Sequence, residues 1–291
     1  MEEPAAVTVT GYPARALMPF VQRYHGARFE DLAPCVHRGL PSHQLEFIIC
    51  LGQPLMINSS GGLLARPYAG LVGGLHRRPV NVALHGSMRN VSLELTPRGA
   101  RKLLGVPAAE LAGQFVDLDA LLGKGAAELT ERLASATDWA ACWSVLDDSL
   151  SSLASRASDR IREDADAQHT WHRILASGGT VRIGDLATES GYSHRQLRDK
   201  FLREYGLSPK QAARIVRFER SAELVKTLGR TKHHPMAPTP SLSEIAAWCG
   251  YYDQAHMTRD WNDLAGCPPS EWLRSENLPF VQDSDGGSGP S

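Results

Sequence analysis

The chain has 291 residues, and its 31 Lys and Arg nearly balance 32 Asp and Glu, for a formal charge of −1. That length fits two domains, and the balance excludes a uniformly basic nucleic-acid coat, so any attraction to phosphate must come from a local segment. Hydrophobic residues make up 42%, yet no stretch approaches the ~20 apolar residues of a membrane span.

The start, Met1-Glu2-Glu3-Pro4, has neither the basic opening nor the apolar core of a signal peptide. The expectation is a cytoplasmic chain with no membrane partner. Cys35, Cys50, Cys142, Cys249 and Cys267 show no CxxC or metal-ligand spacing, and read as free thiols of a reducing compartment.

From about Tyr24 to Leu95, β-favouring runs alternate with Gly and Pro: Leu45–Leu51, Leu55–Ile57, Val80–Leu84 and Val91–Leu95. Short strands between turn signals predict a compact sheet or small barrel. Gly61-Gly62 and Gly73-Gly74 lack the Lys-Ser/Thr of a phosphate loop and read as hairpin turns or tips. His25, His37, His43, His76 and His85, with Glu46 and Cys50, form no HxH, HExxH or Gly-x-Ser-x-Gly pattern, so the chain is not expected to be an enzyme, and neither cofactor nor metal is expected. A pocket lined by Phe47, Ile49, Trp139 or Trp143 would suit a small apolar or aromatic effector, although aromatics at such spacing more often serve as core.

Pro97 is placed for a first helical turn that ends at Gly105. Further helices are predicted across Gly125–Ser135 and Asp138–Ser155. The polar run Arg156–Asp166 is a linker or an exposed helix, and it marks the domain boundary.

One pattern then occurs twice. The first copy runs Ile183-Gly-Asp-Leu186-Ala187, Ser190-Gly191-Tyr192-Ser193, Gln196-Leu197, Phe201 and Gly206-Leu-Ser-Pro209. The second runs Leu242-Ser-Glu-Ile245-Ala246, Cys249-Gly250-Tyr251-Tyr252, His256-Met257, Trp261 and Gly266-Cys-Pro-Pro269. Each is an apolar helix, a turn at Gly, and an amphipathic helix closed by Gly with Pro three residues on, as in a helix-turn-helix. Ser193 caps the second helix of copy one. Ser241 or Ser243 can cap the first helix of copy two, and Tyr252 or Asp253 begins its second. Leu197, Phe201, Met257, Trp261 and Leu264 face inward. His194, Arg195, Arg198 and Asp199 in the first copy, and Gln254, His256 and Arg259 in the second, are left to face DNA. Arg can pair with guanine and Gln with adenine.

Charge divides unevenly. Val181 to Lys232 carries twelve Lys/Arg against six Asp/Glu, and Ser241 to Glu276 carries two against six. Phosphate attraction is therefore expected from the first unit and the helix after it. The acidic second unit either adds little affinity or meets RNA polymerase.

Residues of about 165–276 resemble the DNA-binding domain of AraC/XylS-type transcription regulators. The resemblance is carried by Gly206-Leu-Ser-Pro-Lys, Arg217-Phe-Glu-Arg220-Ser-Ala-Glu-Leu224 and Cys249-Gly-Tyr-Tyr-Asp-Gln-Ala-His256. It implies seven helices, with a long central one holding two recognition helices apart. Met257 and Trp261 stand where the family usually has Phe, Cys267 where Leu or Thr is common, and the loop Gly229–Pro240 is longer than usual. Its His233 and His234 read as solvated rather than metal-binding. Tyr12-Pro13, Leu17, Phe20-Val21, Leu45–Leu51, Thr96–Gly105 and Pro107–Leu111 loosely resemble the N-terminal domain of a subgroup of such regulators, which implies a sensory β-rich module followed by helices for dimerisation or for contact with the DNA-binding half.

The expected architecture is α+β: a β-rich N-terminal sensory module with following helices (1–156), a linker (157–168), an all-α tandem helix-turn-helix domain (169–280) with units at about 183–205 and 242–265, and a disordered tail (281–291). The expected function is sequence-specific transcription regulation, with activation among the expected roles, through two helices in adjacent major grooves of double-stranded DNA and under control of a small effector. Two alternatives stand beside it: an effector-independent regulator set by a protein partner or by abundance, and an enzyme tethered to a DNA-binding module. A homodimer is a further expected partnership.

Overall fold

The computed structural model describes residues 6–58, 65–156, 163–231 and 240–275. Among them, the N-terminal domain has strands β1 (Ala6–Gly11), β2 (Val21–Gly39), β3 (Leu45–Cys50), β4 (Leu55–Asn58), β5 (Arg66–Tyr68), β6 (Gly70–Gly73), β7 (Val80–Leu95) and β8 (Phe115–Asp117). They form one antiparallel sheet in the order β1-β2-β7-β3-β6-β8, with β4 on the other end of β7 and β5 beside β4.

The spine is the long β2–β7 ribbon, paired from Val21↔Leu95 to Gly39↔Val80. The runs Val80–Leu84 and Val91–Leu95, expected as separate strands, are the two ends of β7. His85-Gly86-Ser87 looks like a turn but acts as a bend: Gly86 takes φ +65°, opposite Leu32 and beside Asp31 at φ +52°. The register of β2 shifts on either side of Leu32, so both strands bend together and the ladder continues, as bulges allow.

Alternation along the strands sends Leu45, Phe47, Ile49, Val91, Leu93 and Leu95 into the helix-covered core. Glu46, Ile48, Asn90, Ser92 and Glu94 point to the opposite face and line a cavity. Gly73-Gly74 is not a flexible tip. Both residues are buried, and a Cβ on Gly74 would lie 1.7 Å from the Leu111 carbonyl oxygen. Gly61-Gly62 lies outside the described residues.

Thr96 caps α1 (Pro97–Gly99) by accepting from Gly99 N at 2.9 Å. The chain continues as a π-helical turn, Ala100–Leu104, that Gly105 closes. Then come α2 (Ala108–Leu111), α3 (Leu118–Leu122), α4 (Lys124–Ala134) and α5 (Trp139–Arg156). The last two match the predicted helices within a residue or so.

The C-terminal domain consists of α6 (Ala165–Ala176), α7 (Ile183–Ser190), α8 (His194–Tyr205), α9 (Pro209–Thr231), α10 (Leu242–Trp248), α11 (Gln254–Ala265) and α12 (Pro269–Ser275). The first of these begins inside the stretch read as linker, because Asp164 accepts from two amides of its first turn. Ser193 and Ser241 cap α8 and α10 through reciprocal boxes with Gln196 and Glu244, and Asp253 caps α11. The 23 residues of α9 make a rod of roughly 34 Å. Residues 232–239 of the long loop, with His233 and His234, and everything from 276 lie outside the described residues.

Candidate nucleic-acid interface and the cavity behind it

The two helix pairs fold as the spacing predicts. Leu197, Phe201 and Tyr205 seat α8 against Trp171, which stacks on Tyr205 at 4.5 Å between centroids. Lys200 reaches Asp164 and Asp166 at 2.9 and 3.0 Å and fastens the start of α6 to α8. The start of α8 faces outward. The Arg195 side chain is 90% exposed and that of Arg198 is 61% exposed, so both guanidinium groups can reach base edges. Asp199 lies 3.9 Å from each, and His194 is exposed beside them.

In α11, Gln254 and Arg259 are exposed. His256 is partly turned back: its Nδ1 accepts from Tyr252 N at 3.5 Å, and its ring packs edge-on to Tyr251. Tyr252, offered with Asp253 as the start of this helix, instead stands 93% exposed just before it. In Tyr251-Tyr252 the first ring is buried and the second faces solvent, so one aromatic is left exposed just before Gln254.

Much of the acidic charge of the second unit is taken up in structural contacts. Arg214 of α9 holds Asp260 at 2.6 Å and Asp263 at 2.5 Å, while Asp253 and Glu244 serve as caps. Four of the acids are thus engaged in structural contacts. Trp261 does more than replace Phe as apolar bulk, since its indole N–H donates to the buried Ser221 hydroxyl at 2.9 Å.

The N-terminal domain grips the C-terminal ends of both recognition helices. Arg101 donates from Nε and Nη2 to Glu204 Oε1 near the end of α8, at 3.1 and 2.5 Å. At the cap of α8, Gly206 adopts φ +68°, and a Cβ there would lie 2.4 Å from Ala112 Cβ. Arg38 donates to the Ala265 carbonyl at the end of α11 at 3.2 Å and also to Cys267 Sγ, so Cys267 is an interdomain contact rather than mere packing. On α9, Glu219 accepts from Ser42 Oγ at 2.8 Å, from His43 N at 3.4 Å and from His43 Nδ1.

Between the sheet and α9 lies a cavity of about 420 Å³. Its apolar walls include Ile48, Leu55, Ile57, Val82, Leu84 and Phe115, and α9 supplies Phe218, Glu219, Ala222, Glu223 and Lys226. The expected pocket of Phe47, Ile49, Trp139 or Trp143 does not form. Phe47 and Ile49 are buried in the other face's core, and Trp139 and Trp143 cover Gly26 and Gly11 so closely that a Cβ on either would meet the indole within 3 Å. His37 and Glu46 both lie on the cavity wall but pair with distant positions of β7, Val82 and Glu94, and His43 is bound by Glu219.

Glu94 binds His25 Nε2 at 3.1 Å and Arg23 Nε at 3.4 Å, and these partners hold it below the usual carboxylate range against the opposing effect of burial. Glu46 makes no hydrogen bond or ion pair with a described residue. Burial first, and then the charge of Glu94, push its pKa up to about 7. His76 stacks on Phe115 at 4.5 Å, and burial lowers its pKa to about 4.

Residues 186–275 match the family model described as a helix-turn-helix domain, and residues 10–117 match a domain of unknown function, DUF6597. Among curated proteins none matches the chain. Of solved structures, apo ToxT from Vibrio cholerae, a point variant, aligns with a TM-score of 0.51 at 12% identity, covering 87% of this chain and 97% of ToxT. Wild-type ToxT from the same organism with an unsaturated fatty acid bound gives 0.49 at 13%, covering 87% and 94%. A probable AraC family transcriptional regulator from Rhodopseudomonas palustris shares 27% identity over 38% of this chain and 96% of its own, with a TM-score of 0.32.

The tandem units, the exposed start of each recognition helix and the matched domain define a DNA-binding transcription regulator. Within that class, the helix-turn-helix domain at 186–275 is of the AraC/XylS type. Its α+β arrangement, a β-rich module followed by helices and then an all-α tandem domain, is the one the sequence led us to expect. Among the described residues no helix is long and apolar enough to cross a membrane.

Proposed function

We propose that the chain reads two adjacent major grooves of double-stranded DNA and that a small effector in the cavity governs how it does so. The reading residues are His194, Arg195, Arg198 and Asp199 in one groove and Gln254, His256 and Arg259 in the next. The observation that carries effector control is that the cavity is walled by both domains, with the sheet on one side and α9 on the other. Its volume falls in the ~300–1,000 Å³ range of small-molecule sites.

A molecule seated there touches the rod that joins the two recognition helices. It also lies near the Ser42–His43 clasp on Glu219. A shift of the sheet relative to α9 would be passed to α8 through Arg101 and to α11 through Arg38, and an effector that fits one arrangement better than the other biases that equilibrium. We take the cavity as a binding site rather than a reacting one: Ser42, the hydroxyl nearest the histidines in sequence, is committed to Glu219.

The test is selection of the purified protein on a randomised duplex pool at two salt concentrations. Enrichment of two half-sites about ten base pairs apart is expected for helices in successive grooves. Enrichment of a single half-site would remove α11 from the reading surface, and no enrichment, with or without a cavity ligand, would remove the reading altogether.

A further inference from the structure

The inference concerns the chemistry of the effector, and it rests on the effector reading above. Most polar groups on the cavity wall have partners. Glu94 is held by His25 and Arg23, Glu219 by Ser42 and His43, and Lys226 by Glu223 at 2.7 Å. Glu46 has no such partner. Its side chain is exposed, and it lies on the cavity wall.

The register places a second unpartnered polar atom next to it. Glu46 pairs with Gly73 across β3 and β6, and the point where a Cβ on Gly73 would stand is 3.6 Å from His76 Nε2. That nitrogen is buried without a hydrogen-bond partner. A neutral imidazole with its proton on Nδ1 accepts at Nε2, and burial keeps His76 neutral.

Charge points the same way. Glu46, Glu94, Glu219 and Glu223 line the cavity, and the permanently charged cations in its wall are Arg38 and Lys226, each committed to another group. Ile48, Leu55, Ile57, Leu71, Val82 and Leu84 supply apolar wall to the same cavity.

We propose that the cavity binds an organic cation, a protonated amine on an apolar body, with its N–H groups donating to the Glu46 carboxylate and to His76 Nε2. An ammonium satisfies two acceptors that nothing else in the described structure satisfies. A carboxylate would face Glu46 and Glu94 and would leave His76 with no donor from the ligand.

The test is calorimetric titration of the full chain at pH 8 with three probes of one shape: phenylbutylamine, phenylbutanol and phenylbutyrate. The amine is expected to bind at least about tenfold tighter than either of the others, a difference of about 1.4 kcal/mol. Glu46→Gln should remove that preference while leaving the binding of the alcohol unchanged. A melting temperature for Glu46→Gln no lower than that of the parent shows that the variant is folded. If the alcohol or the carboxylate binds as well as the amine, and Glu46→Gln changes nothing, the cation assignment is wrong while the effector reading stands. If none of the three binds, and filling the cavity with Ile48→Phe leaves DNA affinity unaltered, both fall together.

Discussion

The Arg101 guanidinium and the Glu204 carboxylate, 11–12% exposed, join the π-helical turn after β7 to the end of α8. The N-terminal domain is thereby attached to the second helix of the first helix-turn-helix unit, not merely to a linker. Removing one partner of an enclosed pair leaves the other desolvated and uncompensated.

Arg101→Ala is therefore expected to cost about 3 kcal/mol, measured as the shift of the denaturant midpoint at constant slope. Arg101→Met combined with Glu204→Met should recover most of that loss, because an apolar pair of similar volume strands no charge. A double variant as unstable as the sum of the singles would show that the two residues are not coupled.

Ser221 and Trp261 are both fully buried, and the hydroxyl accepts the indole N–H while donating to the Phe218 carbonyl at 2.7 Å. Ser221→Ala should destabilise the C-terminal domain by about 1–3 kcal/mol by stranding a buried donor. Adding Trp261→Phe, which removes that donor, should restore part of it. An unchanged Ser221→Ala midpoint would mean that the indole finds another acceptor.

Glu46 gives a pH dependence of definite sign. Its folded pKa of about 7 lies above the ordinary carboxylate value of 4.5, so folding favours the protonated form, and stability falls as pH rises from about 4.5 through about 7. The facing groups are His25, Glu94, Glu219 and Lys226. Glu46→Gln, neutral throughout, should melt higher than the parent at pH 8, with the gap closing below about pH 5. A gap of equal size at both ends would mean that ionisation of Glu46 is not its cause.

Arg198→Ala is expected to weaken binding to the selected site by about 1–3 kcal/mol and to relax the preference at one base position. Lys210, exposed at the start of α9, is the comparison: a phosphate contact there would lower affinity evenly across sequences. An unchanged base preference in Arg198→Ala would take this residue out of the reading set.

The helix-turn-helix units were legible because their signals are local. Ser193 and Ser241 stand three residues before Gln196 and Glu244, and glycines close the helices at 191, 206 and 266. The β2–β7 ribbon was not, because Glu30-Asp31 and Pro34 interrupt one strand and Gly86 the other. Only the pairing of those two irregularities turns them into a bend. The cavity was sought on the wrong face of β3. Periodicity separates Phe47 from Ile48, but it does not say which side the helices cover, and Trp139 and Trp143 settled that from far along the chain. Arg38, Arg101, Ser42 and His43 act across sequence separations of more than a hundred residues, where local pattern carries no information.

Because α9 is one wall of the cavity and the sheet is the other, the two halves of this chain are not interchangeable cassettes. A chimera that kept the sheet but borrowed another regulator's DNA-binding half would lose Phe218, Ala222 and Lys226 from the chamber, and Glu204 and Glu219 from the seam. Transplanting the DNA-binding half would therefore rebuild the chamber as well, whereas changes made in α8 and α11 in place leave it intact.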